Sequence, residues 1–310
     1  MGKLWQNKVA GSRMALPFMA VYAALIWLLA GAVLNHWWLQ LACFATSCYL
    51  MMLLNNVHAL IRIYSRMVTC TYIALSCSAC FLFPSLNGAV FAICIIGSIL
   101  LLYAAYQNHE AVALVFYAFA LWGIGSIVFV KILWLIPLLW ILMHYNLMAM
   151  SWRIWKASLL GILLPYWFWG SWLFYNNNAG TLVSHFSGML STPSLADYSS
   201  MSWPQVCCFA LTALLLVTGI VHFLRQRSGD KIRTRMFFYN FMWLGLAGAV
   251  YTALFPQDCN IAFRFMVIFT APLAAHFFAL TSTKVTNVAF WSTCAITLAV
   301  TILNLVVWNN

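Results

Sequence analysis

Apolar stretches of seventeen to twenty residues recur along the chain, each closed by a short polar break. They fall near 15–34, 38–54, 67–83, 87–105, 111–129, 132–150, 157–175, 205–224, 236–255, 264–282 and 288–307. The apolar positions do not alternate, and each stretch is about twice the length of a barrel strand of roughly 9–11 residues. In hydrocarbon only a helix satisfies all the backbone hydrogen bonds of one open segment. The pattern therefore predicts an all-α, polytopic transmembrane helix bundle with about eleven spans (ten to twelve by the usual span length). It also predicts one integral membrane domain over 1–310 and no soluble domain. The first stretch follows Lys3, Lys8 and Arg13. It has span length and no small-residue cleavage site, so it reads as a retained helix rather than a leader.

The longest stretch outside the spans is 176–204, which opens with Asn176, Asn177 and Asn178. Within it Leu182, Val183, Phe186, Met189 and Leu190 recur at helical spacing, with Ser184, Ser187 and Ser191 opposite and Pro193 closing the run. It reads equally as a short amphipathic helix on the outer leaflet or as an ordinary loop.

Composition narrows the class further. Hydrophobic residues make up 65% of the 310 and charged residues only 6%. A soluble domain carries about 25% charged residues, so this chain cannot cover a globule with polar surface. Soluble enzymes, disordered tails, nucleic-acid binders and disulfide scaffolds are excluded. Fifteen Lys and Arg stand against four Asp and Glu, for a net charge of +11. With the N-terminus inside, the inner loops hold thirteen cations and the outer side only Lys131 and Arg264. That asymmetry follows the positive-inside rule and reads the basic balance as a topology signal. It places the N-terminus in the cytoplasm and the C-terminus in the periplasm. Residues 111–150 must then hold two crossings, although the turn near Lys131 lacks Gly, Pro and Asn; a break is expected near Gly123, Gly125 or Pro137.

Candidate chemistry is sparse. Ten cysteines lie mostly within spans, and Cys77-x-x-Cys80 has redox or metal spacing without a second pair or a histidine beside it. Cysteine in an apolar helix behaves as a small hydrophobe, and no disulfide framework follows. No two histidines share a metal-ligand spacing, so no metal and no cofactor are implied. His276 alone lies deep in a span, where an ionisable group is a functional candidate by default; the ordinary alternative is a neutral histidine bonded to a neighbouring helix. No Asp or Glu lies in the middle of any span, which disfavours a carrier coupled to protons or sodium. Glu110 reads as a helix cap, and Asp230 falls in an inner loop. The first outer loop, Asn35, His36 and Trp37, lacks the acid that polyprenol-dependent glycosyltransferases usually place there. A Ser–His–Asp set can be assembled from the serines of 176–204 with His185 and Asp197, but so many serines make the match uninformative.

Arg264 breaks the charge rule at the outer end of the tenth span, with Ala271, Ala275 and Ala279 following on about the same face. Small residues at that spacing let helices approach closely. Asp258 is a candidate ion-pair partner, and snorkelling to headgroups is the other ordinary reading. The functional reading is an anion site for phosphate or pyrophosphate, which guanidinium grips bidentately. Pro272 would kink that helix. On the inner side, His58, Arg62 and Arg66 form one stripe if their linker is helical, and Arg225, Arg227, Lys231, Arg233 and Arg235 crowd one loop. Both sets can hold anionic lipid headgroups or serve only to set topology. Trp37, Trp38, Trp152, Trp155, Trp291 and Trp308 fall near helix ends as interfacial anchors, whereas Trp122, Trp140 and Trp243 are expected in the core. Nucleotide-binding loops, G-x-S-x-G and H-E-x-x-H are absent.

Two segments, Trp152–Trp167 (WRIWKASLLGILLPYW) and Phe263–Asn287 (FRFMVIFTAPLAAHFFALTSTKVTN), resemble a family of polytopic inner-membrane proteins of Gram-negative bacteria that has no assigned function. The resemblance implies a bacterial inner membrane and carries no catalytic residue. Three activities fit the chain. One is handling of a lipid-linked anionic substrate, a polyprenyl-phosphate glycan or a phospholipid, with Arg264, His276, His185 and Asp258 as candidate binding residues. Another is a non-catalytic subunit that partners other envelope membrane proteins. The third is an uncoupled channel or carrier for a neutral or anionic solute. Membrane lipids are partners in each.

Overall fold

The computed structural model describes residues 5–190 and 197–309. Among the described residues every regular element is helical. In chain order they are α1 (Trp5–Ala10), α2 (Ala15–Leu29), α3 (Trp38–His58), α4 (Met67–Ser78), α5 (Leu86–Ala104), α6 (Val112–Val128), α7 (Ile136–Tyr145), α8 (Trp152–Tyr175), α9 (Ala179–Leu190), α10 (Trp203–Gln226), α11 (Ile232–Leu254), α12 (Cys259–Leu280) and α13 (Lys284–Asn309). Each of the eleven apolar stretches overlaps one of these helices, although α2, α4 and α7 fill only part of theirs. Seven of them (α3, α5, α8, α10, α11, α12 and α13) are long and apolar enough to cross a membrane by length and composition; α2, α4, α6 and α7 with its leading turn are shorter.

The short helices end for identifiable reasons. Helix α6 stops where Phe129 turns extended (φ −142°, ψ 90°), and a 3-10 turn over Val130–Leu135 leads into α7, whose first turn holds Pro137. The break expected in 111–150 is therefore at Phe129 and not at Gly123 or Gly125. Helix α4 ends at Ser78 and gives way to a 3-10 turn over Cys80–Leu82. Its last carbonyls are taken up locally: Ser78 Oγ donates to Leu75 O (2.8 Å), Cys80 Sγ to Cys77 O (3.4 Å) and Cys208 Sγ to Ser78 O (3.2 Å). The Cys77-x-x-Cys80 spacing thus has a structural account, since the second thiol closes a broken helix end.

The residues cluster into two compact units, Met1–Ala89 with Asp197–Asn310, and Val90–Ala196. The larger unit is organised on α12, whose residues from Phe265 to Ala275 are all buried. Its neighbours α4, α10 and α11 pack directly on it. Glycines bring backbones close: a methyl group on Gly219 of α10 would lie 2.8 Å from the Leu273 carbonyl carbon of α12, and one on Gly248 of α11 would lie 3.3 Å from Met266 Cα. The small face of Ala271, Ala275 and Ala279 is fully buried as expected. The N-terminal helix α1, which the sequence pattern leaves as loop, docks on the far end of α12. There Gln6 Nε2 donates to Phe278 O (2.6 Å) and Thr281 Oγ1 (2.7 Å), and Asn7 donates to Thr281 O (3.0 Å).

In the smaller unit α6 and α8 lie against each other at two glycines, Gly123 and Gly161, each of which faces a backbone carbonyl of the other helix. Helix α9 occupies the stretch where helix and loop stood equal. Leu182, His185 and Met189 are half-buried, and Val183, Phe186 and Leu190 form an exposed apolar stripe. Ser191 and Pro193 lie outside the described residues. Trp122 is core, whereas Trp243, expected there, is 49% exposed because it sits on the face of α11 turned away from α12.

Candidate functional site

Two constellations stand out in the larger unit, one toward each end of α12. Arg264 lies one turn into α12, and His276 lies twelve residues further, about 18 Å along the axis at 1.5 Å per residue.

The first constellation is built by the break after α4. The chain from Ala79 to Ser85 crosses the start of α12, and Arg264 Nη2 donates to the carbonyls of Leu82 and Ser85. A broken helix frees carbonyls that hydrocarbon cannot solvate, so part of the guanidinium's role is to satisfy them. Ser85 Oγ in turn accepts from Gly88 N (3.1 Å) and starts α5. Gly88 is needed for space, because a methyl group there would lie 2.6 Å from Arg264 Nε. The expected ion pair with Asp258 is not how the side chains settle. Asp258 Oδ2 accepts from Tyr251 Oη (2.6 Å), and among the described residues no carboxylate pairs with Arg264. Arg264 Nε is buried without a partner. A cation and the start of α5, which has no acid in its first turn, therefore lie side by side. Both favour an anion, the helix start through its exposed N–H groups and dipole.

The second constellation joins three elements. The 3-10 turn Arg227–Gly229 is held by Arg62, whose Nη1 donates to Gly229 O (3.2 Å). The next residue, Asp230, turns inward, and its side chain is 2% exposed. Asp230 Oδ2 lies 2.9 Å from His276 Nε2 of α12, and His276 Nδ1 lies 3.2 Å from His222 Nδ1 of α10. The rings of Phe223 and Phe238 close around His276. His222 Nε2 is buried without a partner. No carboxylate lies within a span, as the sequence indicates, but the loop residue Asp230 is buried. Asp230 is a loop residue by sequence and a core residue by structure, because its turn folds over the ends of α10 and α12.

The remaining candidates are scattered. The linker after His58 is not helical, since Ala59 takes a left-handed conformation (φ 47°) that ends α3. His58, Arg62 and Arg66 therefore form no single stripe. His58 Nδ1 meets Arg233 Nη2 at 3.3 Å, and Arg66 donates to Tyr64 Oη and Met52 Sδ. Arg227 donates to Tyr239 Oη (2.6 Å), Arg225 and Lys231 are exposed, and Arg235 Nε is buried without a partner. Asp197 accepts from the Ser199 hydroxyl (2.6 Å) rather than orienting a histidine.

In the smaller unit His185 Nε2 lies 3.3 Å from Tyr166 Oη, which is 2.9 Å from Ser126 Oγ. Burial lowers the His185 pKa below the ordinary histidine value. This chain of hydroxyls and imidazole ties α9 to α8 and α6.

Among the described residues no group of three metal-ligating side chains converges. No family model, no curated protein and no solved structure matches the chain.

Proposed function

We propose that the protein is a multi-pass inner-membrane protein of the bacterial envelope that handles a lipid-linked anionic substrate, a polyprenyl-phosphate glycan or a phospholipid. The observation that carries this reading is the guanidinium of Arg264, unpaired by any described carboxylate and set beside the start of α5. The distribution of cations puts that end of α12 on the outer face and the Arg225–Arg235 loop in the cytoplasm. The same charge rule, applied to the chain order, puts the loop that holds α9 outside, where its exposed stripe Val183, Phe186 and Leu190 would meet the outer leaflet. Its partner there is lipid. The likeness of Trp152–Trp167 and Phe263–Asn287 to a Gram-negative inner-membrane family supports the same compartment. A phosphate headgroup would meet the Arg264 guanidinium and the first N–H groups of α5, while its isoprenoid or acyl chain stays in hydrocarbon.

The test is lipid retention by the purified protein, measured by native mass spectrometry with a polyprenyl phosphate and with a glycerophospholipid. Hydrogen bonds to charged groups contribute about 1.5–3 kcal/mol, and about 1.4 kcal/mol is tenfold in affinity. Arg264→Ala is therefore expected to weaken the preferred lipid about tenfold or more, with Arg264→Lys intermediate. Unchanged retention by Arg264→Ala refutes the reading. A carrier of a neutral or anionic solute is a second reading, favoured by the buried Asp230, which removes the ground for calling such a carrier uncoupled.

A further inference from the structure

The Asp230–His276–His222 constellation serves none of the chemistry proposed for Arg264 and stands on its own geometry. Its protons can be counted. An ionised carboxylate only accepts hydrogen bonds, so the 2.9 Å contact with Asp230 requires His276 Nε2 to carry a proton. The 3.2 Å contact between the two Nδ1 atoms holds one proton, because two would clash and none would leave two lone pairs opposed. In the uncharged state of the pair that proton sits on His222 Nδ1 and is donated to His276. His222 Nε2 is then a bare acceptor, and it is the buried atom without a partner. A purely structural staple between α10, α12 and the loop would have no reason to end on an unsatisfied nitrogen, which costs about 1–3 kcal/mol when buried.

We propose that these three residues form a proton-binding relay whose open end is His222 Nε2, serving a protic ligand (water or a hydroxyl-bearing solute) at the end of the bundle where the α10–α11 turn lies. A proton arriving at His222 Nε2 forms an N–H bond there. The proton on His222 Nδ1 passes to His276 Nδ1, and His276 becomes an imidazolium held against the Asp230 carboxylate. One proton is gained, both histidines exchange hydrogen-bond roles, and Asp230 stays ionised. Release runs the same steps backward. The surroundings suit this traffic. Helix α11 meets His276 with the ring of Phe238 and α10 adds Phe223, so these two faces of the ring are uncharged. Arg62 is the cation that acts on His222 from the α3–α4 link, and it also fixes the turn that carries Asp230. His58 and Arg233 are engaged with each other. The relay gives the molecule a site for proton coupling without a carboxylate inside any span, and it does not depend on what binds at Arg264.

The experiment is nitrogen NMR of the full chain in lipid nanodiscs with ring-15N histidine, the signals assigned through His222→Gln and His276→Gln. In the wild type a through-hydrogen-bond coupling between the two Nδ1 atoms is expected, and the two rings should titrate together with one proton per pair. Asp230→Asn keeps the shape and removes the charge that holds the imidazolium. It is expected to lower the pair's proton affinity at least about tenfold, since an opposite charge at this distance shifts such groups by about 1–3 pH units. Independent titration of the two rings in the wild type overturns the proposal. So does an Asp230→Asn midpoint equal to that of the wild type. The wild-type coupling decides the matter even where a variant fails to fold, because its absence alone removes the relay.

Discussion

Helices α6 and α8 give the most quantitative prediction of the packing. A methyl group on Gly161 would lie 2.5 Å from Phe116 O, 3.0 Å from Phe119 Cβ and 3.1 Å from Ala120 N, and one on Gly123 would lie 2.8 Å from Ile162 O. Close carbon–oxygen contacts settle near 3.3 Å, so Gly161→Ala has to push the helices apart by about 0.8 Å. The obstructing atoms are backbone and cannot swing away as a side chain would. Overpacking of this kind costs about 1–3 kcal/mol, while alanine regains about 1 kcal/mol of helix propensity over glycine. Because backbone atoms cannot yield, the cost falls in the upper part of that range, about 2–3 kcal/mol, and the expected net loss is about 1–2 kcal/mol. Gly180 in α9 is the control, since nothing lies within 4 Å of a methyl group placed there; Gly180→Ala should leave stability equal or slightly raised. Thermal unfolding in detergent, followed by a thiol-reactive dye that reports exposure of buried cysteines such as Cys94, reads both variants. Gly161→Ala should melt a few degrees lower and Gly161→Val lower still. A Gly161→Ala protein that melts at or above the wild type refutes a contact between backbones at this site.

Four further outcomes follow from particular residues. Gln6→Ala removes two side-chain hydrogen bonds that hold α1 on α12; hydrogen exchange of residues 5–10 should rise about tenfold or more, and unchanged exchange contradicts that docking. Because burial depresses the His185 pKa, its contribution to docking α9 is present above the unfolded value near 6.5 and lost as pH falls through the lower folded value. Exchange across Ala179–Leu190 should therefore increase on acidification in the wild type and respond less in His185→Gln; equal pH responses in both would sink this. Cys77 and Cys80 are buried and Cys294 is exposed, so a membrane-permeant maleimide in detergent should modify Cys294 in the folded protein and reach Cys77 and Cys80 only on unfolding; early labelling of Cys77 would contradict its packing. An impermeant maleimide should fail to label Ser228→Cys in intact cells and label it after the envelope is opened; labelling in intact cells reverses the proposed orientation.

How much of this was legible in the sequence depends on whether the signal was local. The eleven apolar stretches needed only composition and length, and each one overlaps a helix. The buried face of α12 was visible in the spacing of Ala271, Ala275 and Ala279. The end of α4 was not, because nothing in the run from Met67 to Phe83 interrupts its hydrophobicity; the break rests on carbonyls capped by Cys208, 130 residues away, and by Arg264. Asp230 is in the loop where the sequence puts it, but its burial was hidden for a related reason. Its neighbours Arg227, Gly229 and Lys231 describe a polar loop, and its partner His276 is 46 residues distant. One signal did exist: His222 falls one turn after Gly219 on the buried face of α10, so a second histidine was already directed at α12 beside His276. The stripe of His58, Arg62 and Arg66 assumed helix continuing past Ala59, where the backbone turns left-handed.

Whether Arg264 holds an anionic headgroup beside the first turn of α5 can be seen directly. The direct measurement is a cryo-electron microscopy map of the full chain in nanodiscs that contain a polyprenyl phosphate. The expected result is a phosphate-sized density within hydrogen-bond distance of the Arg264 guanidinium and of the N–H groups after Ser85, continued by a tail into the lipid. A map in which a carboxylate of the chain closes on Arg264, or in which no such density lies at the start of α5 with the lipid present, would contradict it.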